Sequence, residues 1–410
     1  MNDICILFPG EGAEYIGMGK SLYDNYPEAR KIFDIANRTL GYKLSDIIFY
    51  GSNESLSDQR VLQPAILTTS FAYYNVLKKK FDISAKYFFG YGLGEITALV
   101  CAGVISFPDA VDLVFKRGNI LNQEGEKDYM LNLQLTQKNS FDIFEWIELF
   151  AKDMEMIVTG YISERCYRVC VPFEKKRDVM QMLKENNVEV KILKSNLPLN
   201  CYKLQEASQK FQHELWGLKM NRSSGIKQVV SGINGKVYND KLEIARNLAD
   251  GMSKPVHFDK VIQQISLDGK VKLLDVGPSS MFADLIKDMQ MDKINLTQLD
   301  LQDNAYYCLS IFKEKKLFNK KFLLGKMNAV ALSIENKCHD DNEYKAGVIV
   351  PYSRMKQRYS DLIIDKSEPE EQDIINSKKD LIMIMRTKGL NENEIDLRLK
   401  MIENETLLSL

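Results

Sequence analysis

Histidine is the scarcest chemically useful side chain in this sequence: three occur in 410 residues, His213, His257 and His339. It is the usual general base and the commonest metal ligand, so the scarcity narrows acid–base and metal chemistry before any motif is read. An excess of charge of either sign is also missing. Lys plus Arg number 55 and Asp plus Glu 56, a net charge of −1, which leaves no electrostatic footprint for nucleic acid or an anionic membrane. No apolar run approaches the roughly 20 residues that span a bilayer. The opening Met-Asn-Asp and the short apolar run Ile4–Phe8 lack the basic segment and length of a signal peptide. The seven cysteines (Cys5, Cys101, Cys166, Cys170, Cys201, Cys308 and Cys338) are odd in number and scattered, the pattern of reduced thiols. Cys166 and Cys170 have no second cysteine or histidine pair nearby, which argues against zinc. These absences predict a cytoplasmic protein with no cofactor, no metal, and no nucleic-acid or membrane partner.

What is present is globular, with 45% apolar and 27% charged residues and no internal repeat. Ile4–Phe8 is a continuous apolar run stopped by Pro9-Gly10, as in a buried parallel strand. Glu28 to Leu40 has helical spacing, and Pro64 to Lys80 reads as a helix with Pro64 in its first turn. Tyr87-Phe88-Phe89 is a second apolar strand, turning through Gly90-Tyr91-Gly92-Leu93-Gly94 into a helix from Glu95 to Ala102. Such alternation predicts an α/β fold with a mainly parallel sheet. Between 127 and 195 the texture changes. Leu131–Leu135 and Tyr167–Val171 alternate like strands, whereas Phe141–Met154 and Lys175–Asn187 have helical spacing, which together suggest a small ferredoxin-like insert. Val229-Val230-Ser231 and Lys272–Val276 read as further buried strands, the latter followed by a helix from Met281 to Asp288. Glu335 to Glu343 reads as a loop. Ser367 to Leu410 carries two helical patterns separated by Gly389, a natural C-cap. That hairpin is expected to dock on its own body or on a partner.

The turn after the second strand carries the chemistry. A strand that bends sharply into a helix through G-x-S-x-G presents its Ser at a strained corner, where the helix N-terminus offers amides to an oxyanion. Here the framing glycines are Gly90 and Gly94, but the middle residue is Gly92, which has no side chain and cannot be a nucleophile. The spacing also lacks the dinucleotide fingerprint, and no P-loop lysine follows.

The wider sequence resembles the malonyl-CoA:acyl-carrier-protein transacylases and the related acyltransferases of polyketide synthases, over roughly residues 4 to 290. The resemblance is carried by Phe8-Pro9-Gly10-Glu11-Gly12-Ala13-Glu14, where the family has FPGQGSQ, and by Met18-Gly19 and Gln63-Pro64-Ala65. It continues in Gly90-Tyr91-Gly92-Leu93-Gly94-Glu95, where the family reads GHSLGE, in Ala102-Gly103-Val104, in Arg117-Gly118, and in Pro255-Val256 and Gly277-Pro278. It implies an α/β-hydrolase-like acyltransferase large subdomain (1–126 and 196–300), an inserted ferredoxin-like small subdomain (127–195), and a helical C-terminal extension (301–410). It also implies an acyl carrier protein or polyketide synthase module, together with acyl-CoA, as partners. Function is placed in polyketide or fatty-acid biosynthesis.

The departures bear on activity. The family's acylated Ser is Gly92, and its catalytic His aligns with Asn200 in Ser195–Tyr202. The opening Gln is Glu11, and a further Gln corresponds to Gly251. Losing a nucleophile or its base costs about as much as losing the whole catalytic unit, so a pseudo-acyltransferase acting through binding is expected. The alternative is an acyltransferase or thioester hydrolase with relocated chemistry. Its candidates are Cys201, Tyr91, Glu11 and Glu14: a buried carboxylate with a raised pKa can activate water, whereas Cys201 needs a base or positive field. The backbone amides of Glu11 and Leu93 are the implied oxyanion hole and do not depend on side chains. Arg117, which in the family grips the malonyl carboxylate, is either a retained carboxylate site or a partner for Glu11 or Glu14. No histidine falls at the catalytic position: His213 reads as helix surface, His257 as structural, and His339 as loop.

Overall fold

In the computed structural model the described residues are 3–81, 84–123, 128–135, 147, 154–193, 197–221, 224–267, 271–279, 281–282, 294–299, 320–364 and 369–406. The chain divides into two units, Met1–Gln302 and Asp303–Leu410.

The first unit is built on two sheets. Strands β1 (Asp3–Phe8), β2 (Tyr87–Gly90), β8 (Val271–Val276) and β9 (Ile294–Leu299) form a parallel sheet in the order β2-β1-β8-β9. Such strands are covered on both faces, which is why β1 is apolar after Asp3: Cys5, Ile6, Leu7 and Phe8 are all buried. The expected strand Val229-Val230-Ser231 is reduced to single bridges, Phe88 with Val229 and Val230 with Val237. Its side chains are buried as anticipated, but its backbone turns back at once to pair with Val237.

The second sheet has the order β6-β3-β5-β4-β7, from β3 (Asp128–Leu135), β4 (Ile157–Ser163), β5 (Cys166–Pro172), β6 (Val188–Ile192) and β7 (Val256–His257). Its first four strands are antiparallel and have the strand order of the split βαβ, so the insert is ferredoxin-like. Only two of these strands are legible as alternation; β4 and β6 are not. β7 comes from the returning large part and pairs in parallel with β4, joining the two sheets' territories. One face of the insert packs Leu131, Leu133, Val169 and Val171 against Val179 and Leu183 of the helix Lys176–Glu185. The expected helix Phe141–Met154 lies outside the described residues except for Ile147 and Met154, and the helix Met281–Asp288 except for Met281 and Phe282.

The helix Pro27–Leu40 matches its expected span, and Gly94–Cys101 follows the second strand as anticipated. The helix expected from Pro64 instead spans Gln59–Phe81, with Pro64 inside it. Proline has no N–H to give the carbonyl four residues back. Here the Tyr42 hydroxyl donates to the orphaned Arg60 carbonyl at 3.3 Å, so the helix runs through.

In the second unit the helices Lys320–Ser333, Val350–Ile364, Glu371–Thr387 and Glu392–Thr406 surround a core that includes Leu323, Met327, Met355, Leu381, Ile384 and Ile395. Gly389 stands at φ +92° after the third helix, as its C-cap role requires. The hairpin's apolar face is therefore filled by the unit's own helices. Asp380 is held between Arg354 (2.5 Å) and Arg358 (2.6 Å). No helix among the described residues is long and apolar enough to cross a membrane.

Candidate active site

Loops leaving the carboxyl ends of β1, β2 and β8 converge on one cavity, the position where parallel α/β sheets bind ligands. The cavity measures about 330 Å³, within the range of small-molecule sites. Glu11, Gly92 and Ser279 reach it from those three loops, and β3, β5 and β6 of the insert close the opposite side.

The elbow is intact in its backbone. Gly90 cannot be anything larger, because a Cβ there would stand 1.8 Å from the Gly94 carbonyl carbon. Gly92 is different. Its φ is +55°, and a Cβ at that position would meet no heavy atom within 4 Å. The turn thus keeps the left-handed corner and the open direction of a nucleophile elbow while presenting nothing along it. Leu93 and Glu11 both line the cavity, and their amides make no hydrogen bond among the described residues. Behind the elbow, buried Glu95 accepts the Tyr238 hydroxyl and, at 3.4 Å, the Gly232 amide. Burial pushes its carboxyl up to about 7 despite these donors.

Asn200 lines the cavity in a left-handed backbone conformation, φ +62°. Its side-chain amide donates to the Gly251 carbonyl, and its backbone N–H donates to Met252 at 3.0 Å. Asn200 and Gly251, both expected from the sequence to depart from the acyltransferase pattern, are therefore bonded to each other. Ser195 and Asn196, earlier in the same segment, lie outside the described residues.

Arg117 has a partner. From the helix Phe107–Asn122 its Nη1 lies 3.1 Å from Glu11 Oε1 and also donates to Gln63 Oε1, while the Gln63 amide donates to the same Glu11 oxygen. The ion pair is buried, with side-chain exposures of 5% and 4%. Glu11 is thus the partner of Arg117 in this structure, one of the two carboxylates that the sequence offered it. Glu11 Oε2 is buried without a hydrogen-bond partner. Glu14 turns its carboxylate back to the Gly12 amide at 2.7 Å and is absent from the lining.

Cys201 is buried outside the lining, 3.1 Å from the Pro198 carbonyl and 3.9 Å from the Cys170 sulfur, in a cluster with Met130. His213 is exposed beside Trp216, His339 is exposed on its loop, and His257 stacks on Tyr161 at 4.6 Å. None of the three lines the cavity. Cys308 lies outside the described residues, and no group of three or more metal-ligating side chains occurs among the described ones.

The acyl transferase domain model matches residues 6–303. The chain belongs to the acyl transferase family. It is 29% identical over 289 residues to the malonyl CoA-acyl carrier protein transacylase of Bacillus subtilis strain 168, covering 70% of this chain and 90% of that one. The crystal structure of malonyl CoA-acyl carrier protein transacylase from Clostridium perfringens superposes with a TM-score of 0.66 at 26% identity, covering 81% of this chain and 100% of that chain. The fold also matches, at a TM-score of 0.66 and 24% identity, a malonyl-transacylase in complex with its type II polyketide-synthase acyl-carrier protein; 72% of this chain and 96% of that one are covered.

In this member of the family the sequence motifs located one wall of the cavity and missed the other. Asn132, Arg168 and Lys191 come from the insert and also line it. A signal was available in the strand register: polar side chains at alternate positions of otherwise apolar strands mark the face turned away from the insert's own core.

Proposed function

We propose that this malonyl-CoA:acyl-carrier-protein transacylase-like protein of fatty-acid or polyketide synthesis binds acyl thioesters or their carrier protein without forming an acyl-enzyme. One observation carries the reading: the elbow corner is preserved at Gly92, with open space along the missing Cβ, and no side chain stands there to be acylated. Asn200 supports it, because a carboxamide bonded to the Gly251 carbonyl accepts no proton from a nucleophile. The free amides of Glu11 and Leu93 still suit a thioester carbonyl, which favours binding over turnover. A carrier protein is the partner in the complex similar in fold, which makes phosphopantetheinylated carrier protein the first one to try.

The second reading, thioester hydrolysis, draws on Glu11, a cavity residue whose buried Oε2 has no hydrogen-bond partner among the described residues. Both readings meet one experiment. The protein is incubated with malonyl-CoA and acetyl-CoA, with and without phosphopantetheinylated carrier protein, and intact mass and free thiol release are followed. Expected are no adduct, no turnover, and a saturable complex with the carrier protein. A stoichiometric adduct lost on Cys201→Ala, or thiol release lost on Glu11→Gln, would overturn the binding role. The double substitution Gly92→Ser with Asn200→His is expected to restore slow acylation, since the corner already has room for the side chain.

A further inference from the structure

The cavity contains a second buried arginine, and it is not neutralised. Arg168 lies on β5 with only 6% exposure, and no carboxylate pairs with it among the described residues. Its surroundings hold it rigidly. Its Nε donates to Asn132 Oδ1 at 3.0 Å, and its guanidinium lies 4.4 Å above the Tyr91 ring. The arrangement follows from strand register. Asn132 of β3 pairs with Arg168 on one side and with Lys191 of β6 on the other, so the three form one cross-strand row on the cavity face. The next position in the row, on β4, is Gly160, where a Cβ would stand 2.3 Å from the Tyr91 hydroxyl. That missing side chain lets Tyr91 slide under the guanidinium.

A buried cation without an acid is costly unless an anion reaches it. Arg117 already has its anion inside the protein, in Glu11. We propose that the cavity holds a compact oxyanion on Arg168, within the row Lys191–Asn132–Arg168, and that Arg117 is closed to ligands. Nε is committed to Asn132, and among the described residues the two terminal nitrogens make no geometric hydrogen bond, leaving a fork suited to a carboxylate or a phosphate. The carboxylate of a dicarboxylic acyl group is one source; that assignment rests on the reading of the cavity as an acyl-thioester site. Phosphate, free or on a pantetheine arm, is the other.

Titration of the full-length protein with malonyl-pantetheine, acetyl-pantetheine, malonate and inorganic phosphate tests this. A preference for malonyl- over acetyl-pantetheine of roughly ten- to a hundredfold is expected, the scale of a charge-assisted pair. It should vanish in Arg168→Gln. In case that variant fails to fold, Asn132→Asp supplies an internal carboxylate to Arg168, as Glu11 does to Arg117, and should also abolish anion binding. Glu11→Gln should raise, not lower, the malonyl preference by freeing Arg117. If phosphate binds in an Arg168-dependent way and the two pantetheine thioesters bind equally or not at all, the oxyanion site stands and its source is phosphate. Failure of every anion to bind, or a malonyl preference that survives both Arg168→Gln and Asn132→Asp, would overturn the proposal. An acyl adduct in the mass spectrum would overturn the non-catalytic reading alone and leave the oxyanion site in place.

Discussion

Arg117 and Arg168 face the same cavity from different parts of the fold, and their surroundings are opposite. Arg117 stands on a helix of the large subdomain, ion-paired to Glu11 and hydrogen-bonded to Gln63. Arg168 stands on a strand of the ferredoxin-like insert, stacked on Tyr91 and steadied by a neutral amide, with no carboxylate paired to it among the described residues. The elbow wall keeps a left-handed corner at Gly92, and its arginine is ion-paired within the protein. On the insert wall we place the charge that meets a ligand, Arg168. The difference teaches that one acidic side chain, Glu11, decides whether a buried arginine of the cavity is already paired.

The comparison can be broken most severely at the elbow itself. Gly90→Ala is expected to destabilise the protein by more than ~4 kcal/mol in denaturant unfolding, because its Cβ would overlap Gly94. Gly92→Ala, two residues on, should cost only about 1–2 kcal/mol, the left-handed penalty of a non-glycine residue. Equal effects at the two positions would mean that the open corner does not exist in solution.

The ion pair comes next. Glu11→Ala leaves Arg117 buried and unpaired and should cost about 3 kcal/mol in the same measurement. Glu11→Gln keeps a hydrogen-bond acceptor and should cost about 1 kcal/mol. If both are neutral, the two arginines do not differ as described.

Glu95 sharpens the contrast through pH. Its carboxyl is raised to about 7 in the fold by burial, against 4.5 for the ordinary group. The folded state therefore binds the proton more tightly than the unfolded chain. That contribution is fully present below about pH 4.5 and is lost as pH rises through about 7, a change on the order of 3 kcal/mol. Glu95→Gln, uncharged throughout, should flatten this part of the stability–pH profile. A profile identical to that of the parent would remove Glu95 from the account of what supports the elbow.

The smallest effect belongs behind the insert wall. Cys201→Ala should cost about 1 kcal/mol through lost packing against Met130 and Cys170 and leave thioester binding unchanged. A large loss of binding would bring Cys201 back into the site.

Much of the elbow wall was legible because its constraints are local. Apolar runs ending in Pro-Gly or Gly-x-Gly, and a residue order shared with a family, place β1, β2 and their loops without any knowledge of distant contacts. The insert wall was not legible in the same way. Asn132, Arg168 and Lys191 lie 36 and 23 residues apart along the chain and meet only through the pairing of β3 with β5 and β6. Gly160 looks like a weak point in an ordinary strand until Tyr91 is found against it. Pro64 was misplaced for a similar reason: local rules put proline at a helix start, and only a tertiary partner, Tyr42, makes its interior position tolerable.

By itself the sequence determined that this chain is an acyltransferase homologue with glycine, not serine, in the middle of its glycine-framed turn, since that is a matter of residue identity within one motif. It also determined that a glycine-framed corner would exist, because close backbone approach excludes every larger residue at Gly90. Only the tertiary structure decided how the charges are spent. Whether Arg117 meets a ligand or Glu11, and whether Arg168 is a surface cation or a buried one beside an aromatic ring, depends on which side chains share a desolvated space. Coulombic pairing in a low dielectric is set by distance in three dimensions, not by distance along the chain.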